Sequence, residues 1–178
     1  MILSDFDIEN MVKGKRLVIK PLHADTIRQN GVDLRLAPEI AHHSMLDSSK
    51  LIDPSNPKHV SSIYSIEKNV KSMELKPHEQ VLLSTIEYLS VPKDIAGFVE
   101  LRSTWARHGL SMPPTIIDAG FNGTITLEVI NNAPYRLLLK PGQRFAHIVF
   151  IKTDNVASNG YKGHYSNQHG IKVPKVIK

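Results

Sequence analysis

The sequence predicts a mainly β fold, a barrel or jelly roll with one or two short helices. Short segments rich in Val, Ile, Leu and Thr, many alternating with polar residues, recur along the 178 residues. Gly, Pro, Asn and Asp punctuate them at close intervals, and helix signals are strong only near the N-terminus. Many short strands broken by frequent turns suit a sheet that curls on itself or doubles over.

In chain order, Ser4 is placed to cap a short helix running through Ile8 and Met11, closed by Gly14 with Lys13 and Lys15 near its C-terminal end. Strand-like segments follow at Arg16 to Ile19, Val32 to Leu36, Ser62 to Ile66, Val81 to Tyr88, Ala96 to Leu101, Thr124 to Ile130, Tyr135 to Leu139 and Arg144 to Ile151. Pro38, Asp53-Pro54, Pro77, Pro92, Asn131-Asn132 and Pro141-Gly142 separate them. Asn122-Gly123, between Ile116-Ile117 and Ile125 to Leu127, predicts a tight hairpin, because such a turn needs positive φ at its centre. Lys140-Pro141-Gly142-Gln143 predicts a second turn, leading into an apolar strand from Phe145 to Ile151. Asp47 to Pro57 reads as a polar loop. Asn155 to Lys178 is a Gly-, Asn- and Lys-rich tail, either a lid over a site or a frayed end. With no internal repeat and no long linker, residues 1–178 are expected to form one domain.

Composition narrows the function. The chain has no cysteine, which removes disulfide frameworks, thiolate zinc sites and thiol nucleophiles and favours a reducing, cytoplasmic setting. It has no signal-peptide pattern and no apolar run of membrane-spanning length, so no membrane partner is expected. The formal charge of +5 is spread among acidic residues and aromatics are few, which makes a small anionic ligand the stronger reading and nucleic acid the weaker. The histidines are dispersed; neither His42-His43 nor His164 and His169 carry a metal-ligand pattern.

The stretch from Glu100 to Glu128 concentrates the chemistry. Arg102 and Arg107 flank Ser103 and Thr104 at the start of a helical block, and Asp118 and Glu128 follow in otherwise apolar runs, where an unpaired charge is costly to bury. This set can hold a polyanion and move protons beside it. Bland readings compete: alternation of Thr124, Thr126 and Glu128 with Ile125, Leu127 and Val129 would put Glu128 on a solvated strand face, and Asp118-Ala119-Gly120 is an ordinary turn.

The ordered series Met1 to Asp5, Gly31 to Arg35, Arg102 to Arg107, Ile117 to Phe121 with Gly123, Thr126 to Glu128, Pro141 to Phe145 and Tyr161 to Gly170 resembles the archaeal-type dCTP deaminase family of the trimeric dUTPase-like superfamily. The resemblance implies a distorted β barrel or jelly roll of the dUTPase-like type, assembled as a homotrimer with inter-subunit active sites. It also implies hydrolytic deamination of dCTP to dUTP and ammonia, with magnesium held by the triphosphate and no zinc. The lack of cysteine agrees, since zinc nucleobase deaminases need cysteine ligands.

Carried over position by position, Glu128 matches the catalytic glutamate, and Ser103 and Arg107 match residues that align water and contact the triphosphate. Arg102 matches a phosphate-contacting arginine; Thr104, Trp105, Ala106, Thr126 and Leu127 belong to the same matched motifs, with Trp105 expected to pack rather than stack on a base. Asp118 matches an aspartate that contacts deoxyribose and, in dUTPases, activates water at the α-phosphate. It therefore leaves open a bifunctional enzyme forming dUMP and diphosphate, or a plain dUTPase, although simple dUTPases generally lack a glutamate at the place of Glu128. Tyr161, Gln168 and Tyr165 match tail residues that close over the nucleotide. His164 falls near a place where many relatives carry a phosphate-binding lysine, and Ser111 to Thr115 forms a shorter connection than is usual, stiffened by Pro113-Pro114.

Overall fold

Ser4 opens α1 (Asp5–Lys13) in the computed structural model, which describes residues 1–44 and 49–178. The Ser4 hydroxyl accepts from the Asp7 N–H at 3.3 Å and the Asp7 carboxylate accepts from the Ser4 N–H at 3.0 Å. Two orphan donors of the helix start are thereby satisfied, and these bonds hold the Asp7 carboxyl below the ordinary aspartate range. Gly14 closes the helix, and Ile8 is fully buried beneath it.

Short strands then dominate: β1 (Val18–Lys20), β2 (Ile27–Arg28) and β3 (Gly31–His43) precede a short α2 (Pro57–Ser61). They are followed by β4 (Tyr64–Lys68), β5 (Met73–Leu75), β6 (Gln80–Thr85), β7 (Tyr88–Ser90) and β8 (Ile95–Leu101). After α3 (Ser103–Arg107) come β9 (Leu110–Ser111), β10 (Thr115–Ile117), β11 (Asn122–Gly123), β12 (Thr126–Asn131), β13 (Leu137–Leu139) and β14 (Arg144–Lys152).

The long β3 turns the sheet into a curled, barrel-like body. Its Val32, Asp33 and Leu34 pair with Ile148, His147 and Ala146 of β14, whereas Ile40, Ala41 and His42 pair with Leu83, Leu82 and Val81 of β6. The register shifts between Leu36 and Ile40. Pro38 sits in that shift, where a missing N–H costs the ladder nothing, and its carbonyl accepts from Val70 at 3.0 Å. A strand that bends from one set of partners to another makes a corner. The main path runs β10-β8-β14-β3-β6-β12-β9, with smaller sheets β1-β7-β11 and β13-β5 beside it.

Inside the curl, Val32, Leu34, Leu36, Leu83, Val129, Phe145 and Phe150 are fully buried, each large side chain contributing about 1.5–3 kcal/mol. A buried ion pair ties β3 to the β6–β7 corner: Arg35 Nη1 donates to Glu87 Oε1 at 3.0 Å and to Thr26 Oγ1 at 3.1 Å, and Asp25 also pairs with Arg35.

The structure corrects one sequence expectation outright. Asn122-Gly123 is not a hairpin turn: it is β11, paired with Ser90 and Leu89 of β7, while β10 pairs with β8 and β12 with β6. Gly123 is needed for close approach rather than for a turn, since a Cβ there would lie 3.0 Å from the Gln168 carbonyl oxygen. The chain turns earlier, at Gly120 with φ 84°, where the Phe121 N–H donates to the Asp118 carbonyl at 3.1 Å. The second expected turn is present, with Gly142 at φ 83° before β14. α2 is a helix the sequence reading passed over, capped by Asn56, whose side chain accepts from the Lys58 N–H at 3.0 Å. It begins at the last residue of the expected polar loop, of which Asp47 and Ser48 lie outside the described residues.

Candidate active site

On β12, Leu127, Val129 and Asn131 point into the core, so Thr126 and Glu128 are left on the other face. Opposite them on β6 stand Ser84 and Leu82. This outward face of β6 and β12 floors an open cleft of about 340 Å³. Thr115, Ile116, Ile117, Asp118 and Phe121 also line it, with the tail residues Tyr161, Tyr165, Gln168, Lys172 and Pro174. Tyr64 of β4 lines it as well, its ring stacked on His43 with centroids 4.5 Å apart.

Glu128 is the carboxylate set deepest in this mostly apolar cleft. Burial pushes its pKa up, with only partial compensation from a backbone hydrogen bond. Tyr64 is pushed up as well, by burial and by the charge of Glu128. Asp118 also lines the cleft but is exposed. A half-buried carboxylate with a raised pKa beside open space suits proton transfer.

The tail is tied to the body along its length. The Tyr161 N–H donates to the Ala119 carbonyl at 2.9 Å, and its ring packs against Phe121. Gln168 is nine-tenths buried: its Nε2 donates to the Thr124 carbonyl at 2.7 Å, and its own carbonyl accepts from the Thr124 N–H at 3.0 Å. Gln168 Oε1 has no partner and is the only buried side-chain oxygen or nitrogen so left among the described residues. It is an unsatisfied buried acceptor on a residue that lines the cleft.

Of the residues expected from the sequence, Glu128, Asp118, Thr126, Tyr161, Tyr165 and Gln168 come together in the cleft. Leu127 does not, because its side chain is buried in the core. The helix-borne set also lies elsewhere: none of Arg102, Ser103, Thr104, Trp105, Ala106 or Arg107 lines this cleft. Ser103, Thr104, Ala106 and Arg107 are exposed on α3, and Trp105 packs on Phe145 and donates from Nε1 to the Arg144 carbonyl at 2.9 Å. Arg102 approaches the buried Asp33, which also pairs with Arg144 at 3.3 Å and His147 at 2.9 Å. His164 is exposed and meets the edge of Tyr165.

Sequence reasoning missed Tyr64, Gln80 and Lys172 as cleft residues. Tyr64 begins an ordinary strand and carried no motif; Lys172 follows the Tyr161 to Gly170 motif by two positions and lines the cleft, which His164 does not. His42 and His147 each pair with a carboxylate, yet no group of three or more His, Asp or Glu able to hold a metal ion occurs among the described residues.

The curled sheet with its strapped, acid-lined cleft has the dUTPase-like fold. A 2'-deoxycytidine 5'-triphosphate deaminase from Agrobacterium tumefaciens superposes with TM-score 0.65 at 19% identity, over 84% of this chain and 46% of that longer one. A mutant dUTPase of Staphylococcus bacteriophage 80alpha gives 0.50 at 14% identity, over 84% of this chain and 98% of that one. The chain belongs to the dCTP deaminase-like family, whose sequence profile matches residues 2–153. Proteins named dCTP deaminase from Sulfurisphaera tokodaii and Acidianus ambivalens are 43% and 44% identical to it, each over 98% of this chain and over 92% and 98% of their own lengths. No helix among the described residues is long and apolar enough to cross a membrane.

Proposed function

We propose that this protein hydrolyses dCTP to dUTP and ammonia, supplying dUTP for dUMP and thymidylate synthesis. The observation that carries the reading is Glu128, a carboxylate with a raised pKa, in a cleft also lined by Gln168, whose buried Oε1 has no partner. Gln168 accepts from the cytosine amino group and so favours cytosine over uracil, which has an oxygen there. Glu128 takes a proton from the attacking water as its oxygen bonds to C4. It returns that proton to ring N3, and then moves the remaining proton of the C4 hydroxyl to the amino group, so that the C4–N bond breaks, ammonia leaves and C4 becomes a carbonyl. Asp118 contacts the sugar. Tyr161 and the rest of 155–178 act as the lid.

Ser103 and Arg107 complete the site from a neighbouring copy in a homotrimer, with Arg102 on the phosphates. Their exposure on α3, away from their own chain's cleft, supports this. So does the exposed cross-strand apolar pair Phe98 and Ile116 on β8 and β10. Magnesium enters with the triphosphate as part of the substrate, since the described residues offer no metal-holding group of their own. Zinc has no place in the reading because the chain lacks cysteine, which also fits a cytoplasmic location.

A second reading is bifunctional, cleaving the dUTP further to dUMP and diphosphate, and Asp118 on the cleft wall favours it. Incubation with dCTP and magnesium, followed by chromatography of dCTP, dUTP and dUMP, separates the two. Accumulating dUTP is the expected result; direct dUMP establishes the second reading, and hydrolysis of supplied dUTP without any action on dCTP overturns both.

A further inference from the structure

We propose that Glu39 is a positioning residue: it latches the tail at Gly170-Ile171 and thereby fixes Gln168 in the cleft. The kinetic part of this inference rests on the dCTP reading above. Glu39 lies on β3, only 8% exposed, with its carboxylate on the face that the tail crosses. Its Oε1 accepts from the Ile171 N–H at 2.9 Å and also from the Ser84 hydroxyl. Hydrogen bonds to an ionised acceptor are stronger than neutral ones, and a buried one is shielded from competing water.

The tail residues are shaped to this contact. Gly170 has φ 72°, and a Cβ there would lie 2.5 Å from Glu39 Oε1, so only glycine lets the chain pass. On either side, the Gly170 N–H donates to Thr124 Oγ1 at 2.9 Å and the Lys172 N–H to Thr126 Oγ1 at 3.0 Å. Glu39 is the only charged member of this row of acceptors. Two residues upstream, Gln168 lines the cleft and uses its Nε2 on the Thr124 carbonyl, which leaves its Oε1 buried without a partner. An amide held this way before substrate arrives binds without the cost of being ordered; release of the latch restores that cost.

The test compares Glu39→Ala, Glu39→Gln and Gly170→Ala in the full-length protein. Hydrogen exchange at Gly170, Ile171 and Lys172 is measured without nucleotide, and dCTP kinetics are measured alongside. Glu39→Ala is expected to speed exchange at Ile171 by about tenfold or more. It should also raise KM for dCTP by about tenfold while kcat stays within about threefold. Glu39→Gln keeps a carbonyl that accepts both bonds, so it should restore most of the protection and of KM. Gly170→Ala loosens the latch from the tail side, with β3 intact, and should reproduce the alanine phenotype.

Unchanged exchange at Ile171 in Glu39→Ala overturns the latch. Faster exchange with an unaltered KM overturns the positioning role, and a glutamine variant as impaired as alanine overturns its hydrogen-bond origin. The exchange measurement needs no substrate, so absence of dCTP turnover in the wild type would sink the proposed function while the latch is still decided.

Discussion

Glu128 occupies a position where stability and chemistry oppose one another. Replacing it with Gln keeps shape and hydrogen bonding but removes the base. dCTP binding, read by calorimetry, should survive, while deamination falls by about 10² to 10⁴. The raised pKa of Glu128 also links it to folding. The folded protein binds this proton more tightly than the unfolded chain does, so the stability Glu128 contributes is fully present below the unfolded value of about 4.3. It is lost as pH rises through the higher folded value. Glu128→Gln should therefore melt higher than the wild type at pH 7 to 8, and the difference should vanish towards pH 4. The same titration sets the acid limb of kcat/KM, which should lie above the range of an ordinary glutamate. From sequence alone the alternating Thr124, Thr126 and Glu128 equally described a solvated strand face. Strand alternation names the side of the sheet, and only the tail lying across that side makes it a cleft.

At the level of elements, local signals were legible wherever local chemistry decides. The Ser4 cap, the Gly142 turn and the apolar strand of β14 all stand where expected. Asn122-Gly123 was misread because a positive-φ glycine serves a tight turn and a close approach equally well, and the partner that decides between them, Gln168, is forty-odd positions away. Gly123→Ala is accordingly expected to cost about 1–3 kcal/mol through backbone strain at φ 144°. Because its new methyl would push on Gln168, KM for dCTP should rise as well; a thermal melt paired with a substrate titration checks both. α2 was overlooked because Asn56-Pro57 begins helices and loops alike. The pairing of β3 with four different strands is a long-range outcome that no window of sequence contains.

For the whole molecule, the homotrimer proposed above would make the unit of activity larger than the chain, since α3 lies away from its own chain's cleft. If each site takes Glu128 from one copy and Arg107 from the next, Glu128→Gln and Arg107→Ala subunits complement one another. Refolded together in equal amounts, two inactive variants should form intact sites at about one quarter of positions and recover activity in that proportion, as expected of a ring of identical interfaces. No recovery on mixing, with assembly verified by light scattering, would place all the machinery within one chain. The motifs that carry the candidate residues are local and so legible, but which of these residues share one cleft within a chain was not, because it follows from where α3 and β12 end in the folded chain.

The spine strand has a consequence for how the protein is made. β3 meets β14 through contacts such as that between Asp33 and Arg144, 111 positions apart. At a synthesis rate of about 5–20 residues per second, the nascent β3 waits roughly 5–20 s for this neighbour. Throughout that interval Val32, Leu34 and Leu36, fully buried in the finished body, have no β14 to cover them. Closure of the barrel is then a late, long-range and slow event of the kind that topology dictates. In a crowded cell, the yield of active protein depends on keeping this one emerging strand from the open edges of its neighbours until the ribosome has delivered β14.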